Sequence, residues 1–314
     1  MLIALLVPLA LASLVFTVVL LRAAIRKRAA PTFEAMILGA VTNFFDTLGI
    51  GSFAPTMAWF KFRRLVPDRL IPSTMLVGHS LPSILQAFIF LVLLGLLVDP
   101  ILIVGCALAL MFGGLVGAPI VSRTRVWMIQ LVVGIALVIA AILYAMSNLQ
   151  LMPAGGTASG LPLYLTITAI AVNFILGILL NFGIGHYAPS LVMLSLMGLD
   201  PRLAFPVMAT GGALTIAGAG TRHVIIGQLD LRIAIGIVIG GLPAVVVAAF
   251  IIKEMPLEAL RWLVAVVVLY AAAVMLRAAW TGRQEERALA TLELNAALVQ
   301  EGDVSSGFEI SPDS

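Results

Sequence analysis

Apolar runs of about 20 residues recur along this chain, and they limit its fold more than any other feature. The chain has 314 residues, of which 62% are hydrophobic and only 11% are charged. A soluble protein of this size exposes far more charge. A helix of about 20 apolar residues crosses the hydrocarbon layer of a membrane. The sequence therefore predicts an all-α integral membrane protein.

Seven runs are long enough to be full spans, and two other apolar stretches are interrupted near their middle. The first run has no basic residue before it, which favours a first transmembrane helix over a cleaved signal peptide. The interrupted stretches are residues 33–62 and 162–200. The predicted spans are residues 2–21, 72–97, 101–121, 127–146, 206–225, 232–252 and 258–279.

An internal repeat relates the two interrupted stretches. The segment "GIGSFAP" at 49–55 matches "GIGHYAP" at 183–189, an offset of 134 residues. Unrelated helix breaks are the alternative, but one ungapped register for several glycines and prolines favours duplication. The same offset aligns Pro67 with Pro201, Pro72 with Pro206 and Gly78 with Gly212.

The repeat divides the chain into four parts. Residues 1–32 are an N-terminal helix with a basic loop, 33–150 are repeat 1, and 151–282 are repeat 2. Residues 283–314 are a polar tail. Within it, residues 285–300 could form a short amphipathic helix, and residues 301–314 have the composition of a disordered segment.

The distribution of basic residues favours an inverted repeat. If each interrupted stretch is a hairpin that returns to its own side, each repeat holds one hairpin and three spans, and repeat 2 is inverted. Fifteen of the eighteen basic residues then lie on one side, which the positive-inside rule makes the cytoplasm. If each stretch crosses once, the basic residues divide evenly. The hairpin arrangement predicts an N-terminus outside and a C-terminus inside. The three basic residues outside are then Arg202, Lys253 and Arg261.

The hairpin tips suit an anion. Each tip precedes a short helix with proline in its first turn, where the missing N–H has no intrahelical partner. Glycines leave backbone N–H groups uncovered at the positive end of the helix dipole. The alternative is that these glycines only allow helices to pack closely. The candidate substrate residues are Gly49, Gly51, Ser52 and Thr56 at one tip and Gly183, Gly185, His186 and Ser190 at the other.

Asp46 is the only acid deep in an apolar segment, and its repeat counterpart is Leu180. An intramembrane ionisable group is costly and usually functional. Three roles remain open for Asp46: it carries a coupled proton, it binds Na⁺, or it caps the exposed backbone at the break. Asn43, His79 and Asn181 are the candidate neighbours for coupling or gating.

Enzymatic chemistry and cofactor binding have no motif in this sequence. The chain has one cysteine, Cys106, which lies in an apolar run and is expected to pack in the core. It contains no HExxH metal motif, no G-x-S-x-G elbow and no phosphate-binding loop. We therefore expect neither an enzyme nor a bound metal or cofactor.

The two G-x-G-x-x-x-P elements, "GIGSFAP" and "GIGHYAP", resemble those of the TauE/SafE family of sulfite and sulfonate exporters. The resemblance covers roughly residues 33–280. It departs from the family at Ser52 and His186, where another glycine is common. It implies a multi-pass transporter of the plasma (inner) membrane that moves small sulfur-containing anions. The alternatives are an ion-coupled permease for another solute and a non-transporting membrane subunit.

Overall fold

A computed structural model describes residues 2–117, 125–149, 151, 156–180 and 185–306. The described residues are helical and contain no strand, which confirms the all-α prediction for this part of the chain. Eight helices are long and apolar enough to cross a membrane. The helices are α1 (Leu2–Lys27), α2 (Phe33–Thr47), α3 (Phe53–Arg63), α4 (Ile71–Leu93), α5 (Pro100–Gly117), α6 (Val126–Asn148), α7 (Leu163–Leu180), α8 (Tyr187–Leu196), α9 (Pro201–Ile226), α10 (Leu231–Glu254) and α11 (Leu257–Ser306).

Short polar side chains start several of these helices. The hydroxyl of Thr32 accepts a hydrogen bond from the backbone N–H of Ala35 at the start of α2. Asp200 and Asp230 accept from backbone N–H groups in the first turns of α9 and α10. Each bond satisfies a donor that has no intrahelical partner. These caps fix where the helices begin.

Both predicted interruptions occur. In the first interrupted stretch, α2 ends at Thr47 and α3 begins at Phe53. In the second, α7 ends at Leu180 and α8 begins at Tyr187. With 18 residues, α7 is itself one of the eight candidate spans, whereas α2 has 15. The sequence count of seven full spans therefore misses α7, because the proline and glycines after it obscured the length of the helix before them.

Helices from the two repeats pack against one another in matching pairs. α2 packs on α10, and α7 packs on α5. At the 134-residue offset α2 corresponds to α7 and α5 corresponds to α10, so the two pairs are equivalent. α4 packs on α9, and α6 packs on α11, so each of these helices pairs with its own counterpart at the 134-residue offset. α4 and α9 are the most deeply buried candidate spans and form the centre of the bundle.

The counterpart helices run in opposite directions. Ser73, in the first turn of α4, donates a hydrogen bond to a backbone oxygen just after the end of α9. Along α6, Gly134 lies against Leu276, whereas Trp127, earlier in α6, lies against Gly282, later in α11. Both counterpart pairs are therefore antiparallel.

The two ends of the α2–α3 pair lie side by side. Glu34, in the first turn of α2, accepts hydrogen bonds from Trp59 and Arg63 near the end of α3. Around the second break, the strand-like bridge between Ala158 and Leu199 joins the segment before α7 to the segment after α8. Within the described residues, the outer ends of each broken pair therefore lie close together.

The C-terminal part of the chain differs from the prediction. α11 continues without interruption from Leu257 to Ser306, 50 residues in all, so the predicted boundary at 283 falls inside one helix. Residues 301–306, expected to be disordered, are helical. Alanine, leucine, glutamate and arginine dominate residues 283–300, and these are strong helix formers, so the helix propagates beyond its apolar part. Residues 307–314 lie outside the described part of the chain.

Candidate functional site

The first break is a glycine turn that faces the second repeat. Gly49 and Gly51 have φ angles of +97° and +88°, a conformation that L-residues with side chains rarely adopt. A side chain at Gly49 would contact Leu191 of α8 and Val267 of α11. Nothing lies within 4 Å of the corresponding position at Gly51. The turn therefore ends α2 next to helices of repeat 2 and leaves open space beside Gly51.

Asp46 holds this turn in place from inside the bundle. Its Oδ1 atom accepts a hydrogen bond of 2.7 Å from the backbone N–H of Ser52, just before α3. The Asp46 residue is only 5% exposed. Within the described residues, no lysine or arginine forms an ion pair with it. Asp46 is therefore a buried acid that caps the turn. Among the described residues, no cation compensates its charge.

His79 of α4 joins the helices on both sides of the first break. Its Nδ1 atom lies 2.9 Å from Oδ1 of Asn43 in α2. Its Nε2 atom lies 3.0 Å from the hydroxyl of Thr56 in α3. All three side chains are buried. The predicted residues Asn43, Thr56 and His79 thus form one network.

The partners of Asn43 and Thr56 decide how this network is bonded. The amide nitrogen of Asn43 donates to the carbonyl oxygen of Gly39, so its oxygen faces His79 and Nδ1 must carry a hydrogen. The Thr56 hydroxyl has one hydrogen, and it lies 2.7 Å from the carbonyl oxygen of Ser52 as well as near Nε2. The Thr56 hydroxyl therefore links the buried His79 ring to the start of α3.

The second break has a different set of bonds. The Nε2 atom of His186 lies 3.2 Å from the carbonyl oxygen of Met208 in α9. Its ring packs on Gly212, where an added Cβ would come within 2.9 Å of the ring. The Ser190 hydroxyl donates to Oδ1 of Asn173 in α7 at 3.1 Å. His186 and Ser190 are buried and bonded to helices of their own repeat.

Three predicted residues of the second break stand apart. Gly185 is exposed, and nothing lies within 4 Å of the position its Cβ would take. Gly183 and Asn181 lie outside the described residues. Of the predicted side chains at this break, the structure therefore places those of His186 and Ser190.

Two side chains that sequence reasoning missed connect the breaks. The Tyr187 hydroxyl, at the start of α8, interacts electrostatically with Asp46 and faces the Gln86 side chain of α4. All three residues are buried. Neither polar atom of Gln86 nor the Tyr187 hydroxyl has a partner with hydrogen-bond geometry within the described residues. The unpaired polar atoms of Gln86 and Tyr187 therefore lie near the buried carboxyl group of Asp46, between the two repeats.

A sequence signal for Gln86 did exist. It is the only glutamine in the predicted span 72–97. A polar amide within a long apolar run is a candidate for a functional role. Tyr187 has Phe53 as its repeat counterpart, so its hydroxyl is a difference between the two copies. A polar difference between the two copies is thus the sequence signal for Tyr187, as it is for Asp46.

Metal ligands do not cluster in the described part of the chain, where no three His, Cys, Asp or Glu side chains come together. Cys106 is buried among apolar side chains, as expected for a packing residue.

In comparisons with known proteins, no family model, no curated protein and no solved structure matches this chain. The functional conclusion therefore depends on the chemistry of the site.

Proposed function

We propose that this protein is a secondary transporter of small anions that works by alternating access at its two helix breaks. Sulfite, sulfonates and related organic anions are the substrate class that the TauE/SafE resemblance implies. The observation that carries the proposal is the closeness of the two repeat-related breaks, since Gly49 of the first lies against Leu191 in the short helix of the second, with Asp46, Gln86 and Tyr187 buried nearby. A membrane subunit without a transported ligand has no need to bury unpaired polar atoms there.

The packing of the bundle supports an inverted repeat with two hairpins. The counterpart pairs α4–α9 and α6–α11 are antiparallel, as inversion requires. The ends of α2–α3 and of α7–α8 return to their starting points. Inverted repeats with broken helices are typical of secondary transporters, whose substrate binds near the midplane at the breaks. Together with the basic residues, this arrangement favours an N-terminus outside and a C-terminus in the cytoplasm.

The start of each short helix supports anion binding. α3 and α8 begin at the breaks, so the positive ends of both helix dipoles point into the bundle. At the first break the N–H of Ser52 donates to the carboxylate of Asp46 and the N–H of Gly49 donates to its backbone carbonyl oxygen, which leaves Gly51 as the backbone donor proposed there. Gly49 shapes the turn that presents it. At the second break we assign Gly183, Gly185 and His186 to the substrate.

The hydroxyls of Thr56 and Ser190 have a supporting role in this proposal. Each bonds a side chain of a neighbouring helix, His79 in one repeat and Asn173 in the other. They therefore hold the short helices in place.

Asp46 and His79 are the proposed coupling residues. A negative carboxylate at Asp46 repels an anion beside Tyr187, so proton or Na⁺ binding at Asp46 favours anion binding. His79 is assigned a gating role, because its ring bonds Asn43 in α2 and the hydroxyl of Thr56 in α3. The link between the two residues is the backbone of Ser52, which bonds Asp46 through its N–H and faces Thr56 through its carbonyl oxygen.

Flux measurements in proteoliposomes test the proposal. Purified protein is reconstituted, and the movement of sulfite, sulfonates and small carboxylates is measured with and without gradients of pH and Na⁺. We expect at least one anion to move faster than in protein-free vesicles, and one gradient to drive its accumulation. If no anion moves in vesicles that contain correctly folded protein, the proposed function is wrong.

Topology is tested separately with single cysteines in a Cys106→Ala background. Cysteine at Lys61, near the end of α3, should react with an impermeant thiol reagent only from the cytoplasmic side. Cysteine at Leu149, after α6, should react only from outside. Labelling of Lys61→Cys from outside contradicts the hairpin arrangement, whatever the flux assay shows.

A further inference from the structure

A basic pocket lies where α6 begins and α11 leaves the apolar part of the bundle. It encloses about 340 Å³ and is lined by Arg125, Trp127, Arg283, Glu286, Arg287 and Ala290. The α11 residues are three and four positions apart, so they share one face of that helix. Neither α6 nor α11 forms the first break, and the pocket is separate from Asp46 and its neighbours.

Only part of the positive charge in this pocket is compensated. Glu286 forms an ion pair with Arg125 at 3.2 Å and accepts a hydrogen bond from the indole of Trp127. Within the described residues, Arg283 and Arg287 form no ion pair. The pocket therefore holds three arginines against one glutamate.

The Arg283 guanidinium has a fixed place in the pocket. It lies 5.6 Å from the centre of the Trp127 ring, a cation–π contact. A guanidinium that lies over an aromatic ring keeps the N–H groups at its edge free to bind another group. A guanidinium edge matches the paired oxygens of a phosphate group. Arg283 is thus held in a position suited to an oxyanion.

The depth of the pocket identifies the source of that oxyanion. The apolar part of α6 begins at Val126, and the polar part of α11 begins at Arg283, so the pocket lies at the boundary between apolar and polar surface. Trp127 marks the same level, since tryptophan is enriched where membrane and water meet. Phospholipid phosphates lie at this depth, and basic pockets between transmembrane helices bind anionic headgroups.

We propose that this pocket binds the headgroup of an anionic phospholipid, with Arg283 and Arg287 on its phosphate. Arg125 and Trp127 act by holding Glu286 away from the lipid. The acyl chains of the lipid lie along α6 and α11, whose outer faces are apolar, with Val132, Val266 and Leu269 exposed. This inference is independent of the transported substrate.

Native mass spectrometry of the full chain in detergent tests the proposal. Phosphatidylglycerol and phosphatidylcholine with identical acyl chains are titrated onto the parent protein and onto the Arg283→Gln/Arg287→Gln variant. Each basic residue near a lipid surface contributes roughly a five-fold factor in affinity. We expect the double variant to bind phosphatidylglycerol about 5- to 30-fold more weakly and phosphatidylcholine equally well. Both arginines are exposed, so the variant should keep the melting temperature of the parent.

A matched variant separates this pocket from general charge attraction. Arg22→Gln/Arg26→Gln removes two exposed charges near the end of α1 and should keep the parent's affinity for phosphatidylglycerol. Equal losses in the two double variants overturn the proposal. The proposal also fails if glycerol 1-phosphate, a soluble phosphate monoester, binds the parent as tightly as the lipid, because the pocket then takes free phosphate compounds.

Discussion

Two substitutions at Asp46 separate its capping role from its proposed coupling role. Asp46→Asn keeps an oxygen that can accept the 2.7 Å bond from the Ser52 N–H but cannot bind or release a proton at neutral pH. Asp46→Ala removes the acceptor as well. A residue that only caps the break tolerates asparagine, whereas a coupling residue does not.

The hydrogen bond sets the expected magnitudes. In Asp46→Ala the buried Ser52 N–H loses its partner, and an unsatisfied buried donor costs about 1–3 kcal/mol. In Asp46→Asn the bond is kept, and the loss is at most about 1 kcal/mol, the difference between a charge-assisted and a neutral bond.

Thermal unfolding in detergent and anion flux in proteoliposomes measure the two effects. We expect Asp46→Asn to melt close to the parent and to lose gradient-driven accumulation, while Asp46→Ala loses both stability and accumulation. The reasoning is refuted if Asp46→Asn accumulates the anion like the parent, because Asp46 is then a cap only. It is also refuted if Asp46→Ala is as stable as the parent, since the Ser52 bond then contributes nothing.

Four further substitutions, one of them a control, test the packing of the helices. Gln86→Leu should stabilise the protein by about 1–2 kcal/mol, because it removes an unpaired buried amide, and it should reduce anion flux. A variant that is less stable but keeps full flux contradicts the proposed role of Gln86. Gly240→Ala should cost about 1–3 kcal/mol of stability, because its Cβ overlaps a backbone oxygen of α2. The control Gly218→Ala, whose Cβ meets nothing within 4 Å, should be neutral or stabilising by up to about 1 kcal/mol. Equal melting temperatures of the two variants contradict the close α2–α10 packing. Thr56→Val should cost about 1–3 kcal/mol by leaving the Nε2 atom of His79 without its partner, and an unchanged melting temperature shows that this contact is not formed.

The sequence predicted the helices well because their signal is local. Apolar length, a cap such as Thr32 and a glycine turn such as Gly49–Gly51 act on neighbouring residues, so the span ends and both interruptions follow from short stretches. A short helix over residues 285–300 was predicted, but its continuity with the last span and its extension to Ser306 were not, because the polar composition from residue 301 is typical of disorder. The length of α7 was not predicted, because the glycines and proline after it mask where the helix ends.

The site was harder to predict because its contacts are between distant segments. Asn43, Thr56 and His79 were each found as polar residues in apolar surroundings, but their joint network depends on how α4 packs against α2 and α3. Tyr187 reaches Asp46 only because α8 packs near the first break, and no local pattern reports that packing. Substrate identity is set by such long-range geometry, so a short motif carries it poorly.

Substrate protection at the second break tests the central claim most directly. Gly185 is exposed, without a neighbour that a side chain would meet, so Gly185→Cys in a Cys106→Ala background should fold and react with a thiol reagent. Phe62→Cys, at the exposed end of α3, is the control. We expect a transported anion to slow the labelling of Gly185→Cys and to leave that of Phe62→Cys unchanged. An anion that is transported by the Gly185→Cys variant but does not protect this cysteine contradicts the placement of the substrate at the helix breaks.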